Sequence, residues 1–133
     1  DHIRSALTEV TEAVAMEEKG QPDALAISIG NVHRLEDRSV AIDRDRFTEL
    51  EKALSLPLVI HGTSGIEKKD IQMMASRQVA KFNVGTSLRQ SFGKALRTTL
   101  ASDPGVFDRI TIMKRLIPDM SATASQMIHL LGQ

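Results

Sequence analysis

The chain has 133 residues, enough for one ordinary domain with a buried core. Lys plus Arg and Asp plus Glu both number 17, for a formal net charge of zero, and Trp, Tyr and Cys are absent. Balanced charge and a near-total lack of stacking surface argue against nucleic acid as a partner, and the missing cysteines exclude disulfides and thiolate metal sites. Any metal must be held by His, Asp or Glu. No apolar run reaches bilayer length and no secretory leader opens the sequence, so a soluble cytoplasmic chain with no membrane partner is expected.

Thr8 to Gly20 reads as a short helix, with Gly20 just past its end where a left-handed cap is cheap. Pro22-Asp23 turns the chain into ALAISIG (24–30), a near-continuous apolar run of the kind found in a strand covered on both faces. Asp43 to Ser55 is a helix whose Phe47, Leu50 and Leu54 share one face. Pro57 opens a second strand, Leu58 to Ile60, at the one strand position where proline is tolerated. A helix over Glu67 to Gln78 presents Ile71, Met74 and Ala75, and VAKFNVG (79–85) is a third strand. This alternation predicts a parallel α/β unit, not a bundle.

The tail is helical. Thr86 to Leu100 places Leu88, Phe92, Leu96 and Leu100 inward despite Gly93. Asp103-Pro104 has the form of an N-cap followed by proline at the first helical position. The helix it leads carries Phe107, Ile110, Met113 and Ile117 until Pro118 breaks it, and a last amphipathic segment follows to Gly132. The methionines at 73, 74, 113, 120 and 127 read as gap-filling core residues. One α/β unit over about 7–100, extended by a helical tail over 103–131, is the expected organisation, with no linker and no second domain.

Parallel α/β proteins bind ligands at the carboxyl ends of their strands. All three strand ends here are chemically unusual: GNVHR with His33, HGTSG with His61, and NVGT with Asn83 and Thr86. His2 and His129 have no such setting. Singly, each feature has a bland reading, since histidines at strand ends are commonly just hydrogen-bonded, and Gly, Ser and Asn dominate turns and caps. Together they suggest more. Two imidazoles on neighbouring strands can converge on one divalent ion, and zinc takes histidine nitrogens with an open fourth position. Gly62-Thr63-Ser64-Gly65 offers backbone N–H groups and two hydroxyls suited to a phosphate, and Asn83-Val84-Gly85-Thr86 offers the same from the next strand.

The segments DALAISIGNVH, PLVIHGTSGI and VAKFNVGTSLRQSF, in this order and at these distances, resemble the class II, zinc-dependent ketose-bisphosphate aldolases. The resemblance covers nearly the whole chain from about Leu7, including the first helix and the tail. It implies the carboxyl-terminal part, the last three strands, of a (β/α)8 barrel that cleaves a ketose bisphosphate into dihydroxyacetone phosphate and an aldehyde. It further implies Zn2+ held by His33 and His61, a first phosphate-binding loop at Gly62, Thr63 and Ser64, and a second substrate-binding segment at Asn83, Val84, Gly85 and Thr86. Zinc in this family polarises the ketone oxygen, and the phosphate contacts place the carbonyl against it.

The departures are equally specific. Arg34 stands where the family has glycine after the first histidine, and Thr63 stands where glycine is usual. The family's third zinc histidine and catalytic aspartate lie together as Asp-His on an earlier strand; Asp1-His2 repeats the dipeptide without a strand before it. Glu36 and Asp37 read as solvated loop residues. No catalytic acid–base residue is identified in the chain. Three strands cannot close an eight-stranded barrel, so either a homo-oligomer or a missing amino-terminal barrel half is expected as partner, beside the phosphorylated ketose. Two functions follow: an aldolase of which this is the carboxyl-terminal part, or a non-catalytic phosphosugar-binding or structural subunit.

Overall fold

The computed structural model describes residues 7–31 and 41–132, which divide between Val84 and Gly85 into two compact units. His33, together with Arg34, Glu36, Asp37, Asp1 and His2, lies outside the described residues.

The first unit alternates helix and strand: α1 (Val10–Gly20), β1 (Leu25–Ile27), α2 (Arg44–Ala53), β2 (Leu58–Ile60), a single 3-10 turn (Thr63–Gly65), α3 (Lys68–Ala75) and β3 (Val79–Phe82). The strands form one parallel sheet in the order β1-β2-β3. Leu25, Leu58 and Val79 lie in register, as do Ile27, Ile60 and Phe82, with an irregularity after Leu58 that skips Ala80. Strand residues alternate between faces. Ile27, Leu58 and Ile60 are wholly buried, and so, almost entirely, are Phe47 and Leu50 of α2 and Ile71 and Met74 of α3. Each such side chain contributes about 1.5–3 kcal/mol on removal from water. The other row, Ala26–Val59–Lys81, is open at both ends: Ala26 and Lys81 are exposed, and only Val59 is buried. The strands therefore match buried parallel strands on one face only.

Local chemistry explains the boundaries. Asp43 caps α2, its Oδ1 accepting from the Arg46 N–H at 2.9 Å. At the end of α1 the left-handed residue is Gln21, at φ 45°, and Gly20 stays within the helix, one place earlier than the glycine cap expected. Glu17 reaches from α1 to the segment after α2, where one carboxylate oxygen accepts from the Ser55 hydroxyl and from the N–H groups of Ser55 (3.0 Å) and Leu56 (3.1 Å). These bonds hold its carboxyl below the ordinary glutamate value, the Ser55 hydroxyl most strongly. Arg77 pairs with Glu51 and lies 4.8 Å above the Phe47 ring.

The second unit is a pair of packed helices, α4 (Thr86–Ser102) and α5 (Arg109–Leu130). Here the structure corrects the sequence reading. Asp103-Pro104 does not start a helix; residues 103–107 are turn and coil, and Asp108 is the cap, its carboxylate accepting from the Thr111 N–H at 2.8 Å and hydroxyl at 2.7 Å. Pro118 does not break α5, which runs through it and forgoes one backbone hydrogen bond. The buried residues of the pair are Leu116 in α5 and Ala95 and Thr99 in α4. Leu100, expected to face inward, is exposed, and so are Phe107, Ile110, Met113 and Ile117, Phe107 at 92%. Among the described residues, no helix is long and apolar enough to cross a membrane.

Candidate functional site

The carboxyl ends of β2 and β3 carry the site residues because of sheet alternation. Counting two on from Val59 gives His61, and two on from Lys81 gives Asn83, both on the open row of the sheet. The ladder extends one step beyond the strands, with the Asn83 N–H donating to the Ile60 carbonyl at 2.8 Å. The two side chains meet there: Asn83 Nδ2 lies 3.3 Å from His61 Nδ1. The His61 ring is exposed and Asn83 is half-buried.

The main chain at His61 is held from the neighbouring strand. Asn31, four residues past the end of β1 and only 5% exposed, donates from Nδ2 to the His61 carbonyl at 2.6 Å. Its Oδ1 accepts from the Ile29 N–H at 2.8 Å, so both ends of the amide are used. This residue was not singled out in the sequence. Its signal was available, an amide side chain directly after an apolar strand and its glycine, but an asparagine there reads equally as a turn residue.

Behind His61 the chain reverses. Gly62 takes φ +59°, a left-handed conformation that a side chain would strain, and launches the turn Thr63–Gly65. The turn uses two of its amides internally: Gly65 N–H donates to the Gly62 carbonyl and Ile66 N–H to the Thr63 carbonyl, both at 3.1 Å. Thr63 points inward and is fully buried, and among the described residues its Oγ1 meets no hydrogen-bond partner. The Thr63 hydroxyl is thus not at the surface, and what this residue can present to a ligand is its main chain. Ser64 is half-buried.

Val84 ends the first unit, and Gly85 and Thr86 open the second. Within that second unit the Gly85 carbonyl accepts from the Arg89 N–H at 3.0 Å, and the Thr86 Oγ1 accepts from Arg89 Nη2 at 3.3 Å. A Cβ on Gly85 would lie 3.1 Å from Arg89 Nη1, so the guanidinium folds closely over this glycine. His129 is exposed, its Nδ1 2.7 Å from the Ser125 carbonyl on the same helix.

Of the expected residues, then, the structure brings His61 and Asn83 into contact beside Gly62–Ser64. The imidazole of His61 is a suitable nitrogen donor for a divalent ion, but one donor is not a site. No group of three His, Cys, Asp or Glu side chains converges among the described residues, and His33 lies outside them.

A sequence profile of the class-II fructose-bisphosphate aldolases matches residues 1–133, the whole length given. The chain belongs to this family. In structure it is similar to the YdjI aldolase from Escherichia coli K12, with a TM-score of 0.77, 27% identity, and coverage of 95% of this chain and 44% of that one. It shares a fold with the fructose-bisphosphate aldolase from Campylobacter jejuni at a TM-score of 0.75 and 21% identity, covering 96% of this chain and 45% of that one. The chain thus spans less than half the length of these relatives, and its three parallel strands are part of an aldolase barrel.

Proposed function

We propose that this chain is the carboxyl-terminal part of a cytoplasmic, zinc-dependent aldolase that splits a ketose bisphosphate into dihydroxyacetone phosphate and an aldehyde. The observation that carries this reading is the meeting of His61 and Asn83 on the open row of the sheet, with the left-handed Gly62 turn immediately behind. His33 and His61 would be the metal ligands in this chain. The metal, when bound, supplies a Lewis acid for the ketone oxygen.

The chain's own residues bind and orient. Gly62, Thr63 and Ser64 would hold one phosphate, chiefly through the main chain at Thr63. Asn83, Val84, Gly85 and Thr86 would hold the substrate from the next strand end. Cleavage also needs a base to take the proton of the hydroxyl that becomes the aldehyde, and an acid to protonate the carbanion left behind. Neither is assigned to a residue of this chain.

The test is retro-aldol cleavage of fructose and tagatose bisphosphates by the purified chain, with added zinc and with a chelator. Zinc uptake by the chain, lost in His61→Ala, is the expected result even where cleavage needs the rest of the barrel. Unchanged zinc content in that variant would overturn the ligand assignment.

A further inference from the structure

We infer that α5 is a self-association surface, along which two copies of the chain pair antiparallel with their two-fold axis at Ile117. Ile110, Met113, Ile117, Ser121, Ala124 and Ile128 follow one another at steps of three and four, so they form one stripe along the helix. The four large side chains of the stripe are 50–59% exposed, and Phe107, just before the helix, is almost wholly in water. Phe107 directly precedes the cap Asp108, a place from which an apolar side chain often packs back onto the fourth residue of the helix. Here it is left to another surface. Together these five side chains expose on the order of 600 Å², the upper end of what a monomer ordinarily leaves in water.

The order of sizes along the stripe points to a second copy as the occupant. The stripe is large from Ile110 to Ile117 and small beyond it, at Ser121 and Ala124. An antiparallel copy turned about Ile117 sets each residue before the axis against the one equally far after it. Ile110 then falls on Ala124 and Met113 on Ser121, so large side chains fill the gaps over small ones, as close helix packing requires. Phe107 reaches Met127 and its neighbour Ile128, and Ile117 meets its own copy, so every large member of the stripe is covered. Charges agree with this register, because Lys114 falls on Met120, Arg109 on Ser125 and Asp108 on Gln126, and no like charges are opposed. A parallel pair would set Lys114 on Lys114 and the small half on itself. The antiparallel interface is isologous and closes as a dimer. With the small residues covered as well, it approaches about 800 Å² per partner, the size of a standard interface. The pairing is independent of the chemistry proposed at His61.

The test uses the chain's lack of cysteine. Ile117→Cys should form a disulfide-linked dimer on mild oxidation, since only the axis brings a residue within bridging distance of its own copy. Ile110→Cys alone and Ala124→Cys alone should not, whereas an equimolar mixture of the two should cross-link. Sedimentation velocity of the wild type should show a dimer that grows with concentration. Ile117→Lys sets two cations together at the axis and should sediment as a monomer. Ile117 is exposed in the single chain, so this variant keeps its fold, which circular dichroism checks. A wild-type chain that stays monomeric at every concentration overturns the inference and leaves the stripe to a different partner. A dimer unaffected by Ile117→Lys, or Ile110→Cys cross-linking to itself as readily as Ile117→Cys, overturns it as well.

Discussion

Asn31→Ala should be among the most damaging small changes near the site. The wild-type amide satisfies two main-chain groups at once, the Ile29 N–H at 2.8 Å and the His61 carbonyl at 2.6 Å. Ile29 is wholly buried, so no solvent replaces the lost acceptor, and an orphaned buried N–H costs about 1–3 kcal/mol. The His61 carbonyl is only partly buried and regains some water, so its loss is nearer the net value of an ordinary hydrogen bond, about 0.5–1.5 kcal/mol. Together these give about 2–4 kcal/mol, roughly a thirty- to thousand-fold fall in the folded-to-unfolded ratio. Asn31→Asp keeps the acceptor for Ile29 but turns an oxygen toward the His61 carbonyl and buries a charge, so it should be no better. Urea denaturation of the chain measures the total, and amide exchange at Ile29 reports the site itself. An alanine variant within about 0.5 kcal/mol of wild type, the range of an ordinary surface substitution, would refute the bridging role.

Thr63→Val removes a buried hydroxyl with no partner among the described residues and should stabilise by about 1 kcal/mol; a loss of that size in thermal or urea melts would show that the hydroxyl is satisfied. Arg44→Ala should cost about 1–3 kcal/mol, because the 3%-exposed Asp70 loses its 2.6 Å partner, whereas Asp70→Leu should cost less by leaving no buried charge. The reverse order in denaturation would contradict the pairing. Glu17 has a lowered pKa, owing first to the Ser55 hydroxyl and then to the Ser55 and Leu56 N–H groups. A lowered carboxyl pKa contributes stability above its ordinary value of 4.5, and that stability is lost as pH falls through the folded value. Glu17→Gln should therefore be less stable at neutral pH and show a shallower acid limb in melts below pH 4.5. An unchanged limb would show that the carboxylate is not engaged.

What could be read in advance follows from the range of each interaction. Strands and core helices of the first unit were legible because alternation and three–four spacing are local: Phe47, Leu50, Leu58, Ile60, Ile71 and Met74 could be assigned from their neighbours alone, and all are buried. The same reasoning found α4 but misplaced the start of α5 and broke it at Pro118, because Asp103-Pro104 and Pro118 are strong local punctuation that packing overrides. Asp108 offers a better cap through two bonds to Thr111, and a helix docked along α4 retains more by continuing through Pro118 than it loses in one backbone bond. Along α5, Leu116 is buried while Ile110, Met113 and Ile117 are exposed.

The site divides along the same line. His61 and Asn83 were visible as residue types at strand ends, since their place on one row is fixed by counting in twos from Val59 and Lys81. Asn31 was not, because its role depends on two partners, one of them thirty residues away. Nor did the sequence distinguish the two hydroxyls of the Gly62 turn. A threonine one place after a left-handed glycine is directed by the reversal of the backbone, and here that reversal takes Thr63 into the core. In the proposed phosphate-binding role the turn would therefore contribute its main chain rather than the Thr63 hydroxyl. The threonine at this position then acts through packing beneath the loop, and the stability of Thr63→Val tests that role independently of any substrate.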